Sequence, residues 1–228
     1  MPRRTITVGR SVEGRPLCVY LFGSSKSSPT VFLGGFHGDE PKSVRLTDQL
    51  IGWLSDEGLE GPTCSAIVMP VVNPDGYDIR KRRNARGVDL NRNFPTANWQ
   101  RGNPRSRLFG GDQPASEPET RAVIRLLERY KPSRIVSIHS IDRHRFCNNY
   151  DGPAKRLAEG MARHNGYPVK GGIGYPTPGS FGTWAGVERR IPIVTLELPS
   201  HHSVKRCIGD NKMALLYAVL GGRPLRRV

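Results

Sequence analysis

The sequence predicts an α/β fold, with a mixed, largely parallel central sheet and helices on both of its faces. Short apolar runs of strand length, amphipathic segments of helix length, and their alternation along the chain carry that prediction. "LCVYLF" (17–22) and "TVFLGG" (30–35) read as strands. "EPKSVRLTDQLIGWLS" (40–55) reads as an amphipathic helix with Pro41 in its first turn, where no intrahelical N–H bond is lost. "CSAIVMPVV" (64–72) reads as a buried strand. The polar segment 73–114 is too long for an idle connection inside a packed domain, so it is expected to carry function. In "SEPETRAVIRLLERY" (116–130), Ser116 and Glu119 have the spacing of a capping box ahead of a helical apolar repeat. "RIVSIH" (134–139) reads as a buried strand, about 152–164 as a helix, and 166–182 as a Gly/Pro-rich stretch. "IPIVTLEL" (191–198) is another buried strand and "KRCIGDNKMALLYAVL" (205–220) a final helix.

A chain of 228 residues with 36% hydrophobic content can bury a core without disulfides, and no repeat, low-complexity tract or linker divides it, so one domain over 1–228 is expected. Cys18, Cys64, Cys147 and Cys207 stand far apart, with no pair at metal-ligand or redox-motif spacing; they read as reduced thiols of a cytosolic protein. The basic N-terminus runs into an apolar stretch too brief for a signal-peptide core or a membrane span, so a cytoplasmic protein with no membrane partner is expected. The net charge of +15 attracts anions, whether nucleic acid, an anionic membrane surface or small acidic substrates, and does not choose among them. The densest basic run is "RKRRNAR" (80–86).

In open α/β sheets, ligands lie outside the carboxyl ends of the strands. His37 follows one such end, His139 closes another, and Glu197 lies near a third. A catalytic zinc takes three protein ligands and keeps a position open, two imidazoles and a carboxylate being a common set; His37, Glu40 and His139 would supply it. A polar loop entering a helix is the other reading of "HGDE" (37–40).

"HGDE", "NPDG" (73–76), "GVDLNRNFP" (87–95), "SEPET" (116–120), "SIHS" (137–140) and "TLELP" (195–199) occur in one order along the chain, with "VGRSVEGRPL" (8–17) ahead of them. Together they resemble the zinc carboxypeptidases of the carboxypeptidase A type, over roughly residues 8–200. The resemblance implies that family's α/β/α sandwich and one Zn2+ held by His37, Glu40 and His139. It implies that Glu197 is the general base and acid, and that Asp89 is the carboxylate orienting His37. It implies that Asn91 and Arg92 hold the substrate's terminal carboxylate, a task suited to the guanidinium fork. It also calls for an arginine that supports the oxyanion; Arg82 is the first choice, with Arg80 and Arg83 open because the basic run permits more than one register, and Arg80 is otherwise expected beside Asn91 and Arg92 as a substrate-binding residue. Many members cover the substrate terminus with a tyrosine on a loop before the last strand. "TPGSFGTWAGVERR" (177–190) has none, and Tyr175, upstream, is not expected to substitute. Phe181 and Trp184 read equally as walls of the substrate site or as core.

"GDQPASEPET", "TPGSFGTW" and "TLELP" are most similar to the bacterial murein peptide amidase branch, which implies cleavage between γ-D-glutamate and meso-diaminopimelate in peptides from cell-wall turnover. Such a tripeptide carries several carboxylates, which suits a basic protein. The expected partner is therefore a small acidic peptide, with no nucleic acid, and the oligomeric state is left open. Alternatives are an ordinary carboxypeptidase on α-linked peptides and an aspartoacylase or succinylglutamate desuccinylase type of deacylase, whose members usually carry an added C-terminal β domain. A nucleic-acid-binding protein without activity would leave Glu197 without a purpose.

Overall fold

The computed structural model describes residues 3–23, 27–56, 65–141, 145–172 and 174–221. Its strands are β1 (Arg3–Arg10), β2 (Pro16–Gly23), β3 (Thr30–Leu33), β4 (Ser65–Met69), β5 (Arg134–Ile141), β6 (Cys147–Asp151), β7 (Val169–Lys170) and β8 (Ile193–Pro199). They pair into one sheet in the order β1-β2-β4-β3-β5-β8-β6-β7. The four central strands, β4, β3, β5 and β8, are mutually parallel, while β1, β2 and β6 run antiparallel to a neighbour. Strands buried on both faces, such as β3 "TVFL", are expected at the centre of such a sheet.

The helices are α1 (Pro41–Asp56), α2 (Pro74–Asp78), α3 (Pro118–Tyr130), α4 (Lys155–Asn165) and α5 (Val204–Val219). Leu46, Leu50 and Leu54 of α1 share one buried layer with Ala158 and Met161 of α4 and with Ala214 and Leu215 of α5, against Val136, Ile138, Val194 and Leu196 of the sheet. The opposite face packs Ala122, Val123, Leu126 and Leu127 of α3, together with Phe36, Phe94, Phe181 and Trp184, on Val31, Ile67 and Ile135. Each fully buried Leu or Phe of these layers contributes about 1.5–3 kcal/mol relative to exposure. Phe181 and Trp184 are thus core residues, 1% exposed each.

Four features depart from the sequence reading. The strand after Thr30 stops at Leu33 because Gly35, at φ 59°, turns the chain out of the ladder toward His37. The capping box at Ser116 and Glu119 does not form. The N-cap of α3 is Glu117, and the Glu119 carboxylate instead accepts from the Val12 N–H at 3.1 Å and from Asn84 Nδ2 at 3.3 Å. Strands β1, β6 and β7 were not expected, nor was the π-helical segment Thr183–Glu188. Cys18, Cys147 and Cys207 are free thiols, and Cys64 lies outside the described residues. Among the described residues no helix is long and apolar enough to cross a membrane.

Candidate active site

Strand register assembles the site. His139 of β5 lies directly opposite Glu197 of β8, and β3 on the other side of β5 leads into His37. The turn from His37 to Glu40 is closed by the Glu40 N–H donating to the His37 carbonyl (3.2 Å), and Ser43 Oγ holds the Glu40 carbonyl at 2.7 Å as α1 begins. This turn presses on the "NPDG" turn. A Cβ on Gly38 would fall 2.0 Å from the Gly76 carbonyl carbon, and one on Gly76 would fall 2.4 Å from Asn73 Nδ2, so glycine at both positions permits the contact. Asn73 secures its own turn by accepting from the Gly76 N–H at 2.9 Å.

His37 Nδ1 lies 2.7 Å from Glu40 Oε1, and His139 Nδ1 lies 3.2 Å from Glu40 Oε2. The candidate ligand atoms of these three residues all fall within 4.8 Å of one another. The outer nitrogens are engaged as well, His37 Nε2 at 3.1 Å from Asp89 Oδ1 and His139 Nε2 at 3.1 Å from Ser137 Oγ. A ring that donates its Nε2–H outward presents the Nδ1 lone pair inward. Two imidazole nitrogens and a carboxylate oxygen converging on one point, with their orientation fixed from behind, fit a catalytic zinc. Asp89 takes part in three such bonds, accepting also from Arg82 Nε (3.0 Å) and the Asn91 N–H (3.0 Å).

Burial dominates the electrostatics, and the neighbours decide its outcome. Burial alone would raise the Glu40 and Asp89 carboxyls, but the charge of His37, with His139 and Arg82 respectively, holds both well below the usual carboxylate range. Burial disfavours protonated His37, yet Glu40 and Asp89 push it up to about 9, which marks a centre that stabilises positive charge. His139 moves down, because there burial outweighs Glu40. Glu197 is pushed up to about 8 by burial and by the charge of Glu40, against the pull of His37, Arg82 and Arg92.

A cleft of about 140 Å³ opens over this group, and Arg82, Asn91, Arg92 and Glu197 all line it. Asp89 N-caps the short 3-10 turn Leu90–Arg92, so the residue that orients His37 also aims Asn91 and Arg92. Asn91 Oδ1 accepts from the Phe181 N–H at 2.8 Å, which turns its Nδ2 toward the cleft. Arg92 is 4% exposed, donates to the Asn91 carbonyl at 2.6 Å and has its pKa lowered by burial.

The arginines of the basic run fall in different places. Arg82 reaches the cleft, 3.6 Å from Glu40 Oε1. Arg80 does not: at φ 54° its side chain turns out of the cleft, the guanidinium lies 4.4 Å from the Tyr77 ring centroid, and the residue is exposed, so its assignment as a substrate-binding residue is corrected. Arg83 donates to the carbonyls of Pro104 and Ser106 at 3.1 and 3.2 Å. Tyr175 lines the cleft as well and is 43% exposed. Sequence reasoning also missed Ser137 behind His139, the Ser140 N–H that donates to Glu40 Oε2 at 2.9 Å, and the cleft residues Asn149, Asp151 and Thr195.

Comparison with known proteins gives the same picture. Residues 2–151 match the family model described as zinc carboxypeptidase. Murein peptide amidase A of Escherichia coli (strain K12) is 35% identical over 209 residues, spanning 87% of this chain and 82% of that protein, and the enzyme of that name from Vibrio campbellii is 35% identical over 203 residues, 84% of this chain and 77% of that one. The crystal structure of murein-tripeptide amidase MpaA from Escherichia coli O157 superposes with a TM-score of 0.76 at 32% identity, covering 100% of this chain and 95% of that one. Bovine thrombin-activatable fibrinolysis inhibitor, at 21% identity, shares the fold with a TM-score of 0.82 over 96% of this chain and 90% of that one. Glu197 lies beyond the segment matched by the family model, but the structural superposition spans it. Ligand cluster, sheet order and whole-length similarity agree, and the chain belongs to the zinc carboxypeptidase family.

Proposed function

We propose that the protein hydrolyses the amide between γ-D-glutamate and meso-diaminopimelate in L-alanyl-γ-D-glutamyl-meso-diaminopimelate, within the cytoplasm, as a step of peptidoglycan recycling. The observation that carries this reading is the pairing of a complete hydrolytic site with 35% identity to murein peptide amidase A along most of both chains.

His37, Glu40 and His139 hold one zinc ion. Zinc bound there supplies Lewis acidity, which lowers the pKa of water to near neutrality and polarises a carbonyl. Glu197, buried and opposite His139, takes a proton from the attacking water and delivers it to the nitrogen of the departing diaminopimelate. A positive charge among the three ligands favours the Glu197 carboxylate, the form that can accept that proton. Asn91 Nδ2 and the Arg92 guanidinium bind the terminal carboxylate and so set the position of the bond to be cut. Arg82, tied to Asp89 through Nε, keeps its remaining N–H groups for the oxygen that gains charge as the carbonyl is attacked. The surplus of cations on the protein attracts a substrate with several carboxylates.

The test is release of diaminopimelate from the tripeptide by the zinc-loaded protein, beside an α-linked peptide of similar charge. Preference for the γ-linked tripeptide supports the reading. Cleavage of the α-linked control alone would keep the hydrolytic chemistry and overturn the substrate.

A further inference from the structure

The N-terminal segment "VGRSVEGRPL" contributes no residue to the metal group or to the lining of the cleft, yet its turn, residues 11–15, reaches across the fold. The turn closes on itself, the Ser11 N–H donating to the Arg15 carbonyl at 2.9 Å and the Gly14 N–H to the Ser11 carbonyl at 3.0 Å. Ser11 Oγ donates to Asp75 Oδ1 at 2.7 Å, and the Glu13 N–H donates to Asp75 Oδ2 at 3.0 Å. Arg15, which also meets the Glu13 carboxylate, donates to Asp75 Oδ1 at 2.8 Å and to Asp78 Oδ2 at 2.9 Å. The Val12 N–H donates to Glu119 Oε1 at 3.1 Å. Asp75 and Glu119 are 1% and 0% exposed, so the turn grips two carboxylates of the interior.

Both carboxylates serve one loop, residues 79–89, which carries Arg82 and lies outside helix and strand. At its start, Asp75 belongs to α2, where the Gly76 carbonyl accepts from the Lys81 N–H at 2.9 Å and the N-cap Asn73 donates from Nδ2 to the Arg82 carbonyl at 3.2 Å. Toward its end, Asn84 Nδ2 donates to Glu117 Oε2 at 2.7 Å and to Glu119 Oε2 at 3.3 Å. Asn84 Oδ1 in turn accepts from the Arg86 and Val88 N–H groups at 3.1 and 3.0 Å, directly ahead of Asp89. The backbone on either side of Arg82 is therefore bonded to groups that the 11–15 turn holds. An irregular loop left untied loses its single conformation to chain entropy, and a donor to a developing oxyanion helps only when it is already aimed.

We propose that Ser11 and Arg15, acting through Asp75, are positioning residues for Arg82, so that the N-terminal turn sets the rate of the chemical step from outside the cleft. The inference rests on the reading of Arg82 as the support of the oxygen that gains charge. A misplaced guanidinium weakens the transition state more than the bound substrate, so loss of the turn's grip falls on kcat and leaves KM nearly unchanged. Because Gly76 also touches the metal turn at Gly38, the comparison is made at saturating zinc.

A double-mutant cycle between the turn and Arg82 tests this, on whichever of the γ-linked tripeptide and the α-linked control the enzyme cleaves. Arg15→Met should lower kcat about tenfold, part of what one oxyanion donor contributes, with KM held within about twofold. Placed on Arg82→Ala, the same change should cost less than about twofold, because the group it positions is gone. Arg15→Lys should recover part of the loss, and Ser11→Ala should show the same pattern at smaller size. Hydrogen exchange reads the loop without turnover: the Lys81, Asn84 and Val88 amides should exchange about tenfold faster in Arg15→Met while those of β5 keep their rates. Equal losses of kcat on the two backgrounds would reduce the turn to a support of the fold and overturn the proposal, as would unchanged exchange at the three amides. A normal kcat in Arg82→Ala would overturn the oxyanion reading and the proposal together, whereas a large loss there beside a normal Arg15→Met would overturn the proposal alone.

Discussion

At the histidine end of the cleft, His37, Glu40 and His139 each have at least two hydrogen-bonding partners. At the opposite end, Asn149 Oδ1 has none, and burial, with no neighbouring charge set against it, raises the Asp151 carboxyl. Both ends are polar, with His37, His139 and Asn149 buried and Asp151 half-buried, so the difference lies in what completes them. The first end is held rigid by the protein, as a site must be whose geometry has to exist before the substrate arrives. The second keeps an acceptor on the cleft wall, Asn149 Oδ1, without a donor from the protein.

That contrast can be broken from several directions. The largest effect is expected at Glu197. Glu197→Gln should keep its zinc and lose about 10³- to 10⁴-fold in kcat, since the proton acceptor is gone while the ligands remain; metal analysis beside single-turnover kinetics checks both halves, and normal turnover would sink the mechanism. Arg92→Ala should cost about 100-fold in kcat/KM on substrates with a free terminal carboxylate and far less on terminally amidated analogues. Equal losses on the two would count against a carboxylate-binding role. Asp89→Asn should weaken zinc binding by about 10- to 100-fold, read by competition with a chelator, because it loosens His37 without removing a ligand.

The smallest effect concerns stability. A carboxyl whose pKa rises on folding favours the folded state below its unfolded value, and loses that advantage as pH climbs through the folded one. For Glu197 the window runs from 4.5 to about 8 in the metal-free protein. Metal-free Glu197→Gln should therefore match the wild type near pH 4 and melt a few degrees higher near pH 8. His37 is also raised, to about 9, and loses stability in the same direction; it is present in both proteins, so the difference between them reports chiefly Glu197. A constant difference in melting temperature across the range would mean that Glu197 carries no unfavourable buried charge.

The same division explains what could be read in advance. His37, Glu40, His139 and Glu197 were legible because parallel strands deliver their chemistry at strand ends, and each of these residues follows or closes an apolar run. The β6 wall was not legible. "CNNYD" alternates as a strand should, but its two asparagines and its aspartate serve the cleft and α4, so the apolar signal that marks a strand is absent. Arg82 could not be separated from Arg80 by counting, because the choice depends on a turn conformation at Arg80 and on the contact between Gly38 and Gly76. The capping box at Ser116 failed for a tertiary reason: Val12 and Asn84 compete for the Glu119 carboxylate and win.

The most direct test of the central claim, that His37, Glu40 and His139 hold one zinc on which hydrolysis depends, is a zinc titration of the chelator-stripped protein with diaminopimelate release followed in the same samples. Activity should rise linearly and break at one zinc per chain, and a Glu40→Ala, His139→Ala double variant should neither bind the ion tightly nor turn over. Full activity in the stripped protein, or unchanged zinc affinity in the double variant, would contradict it.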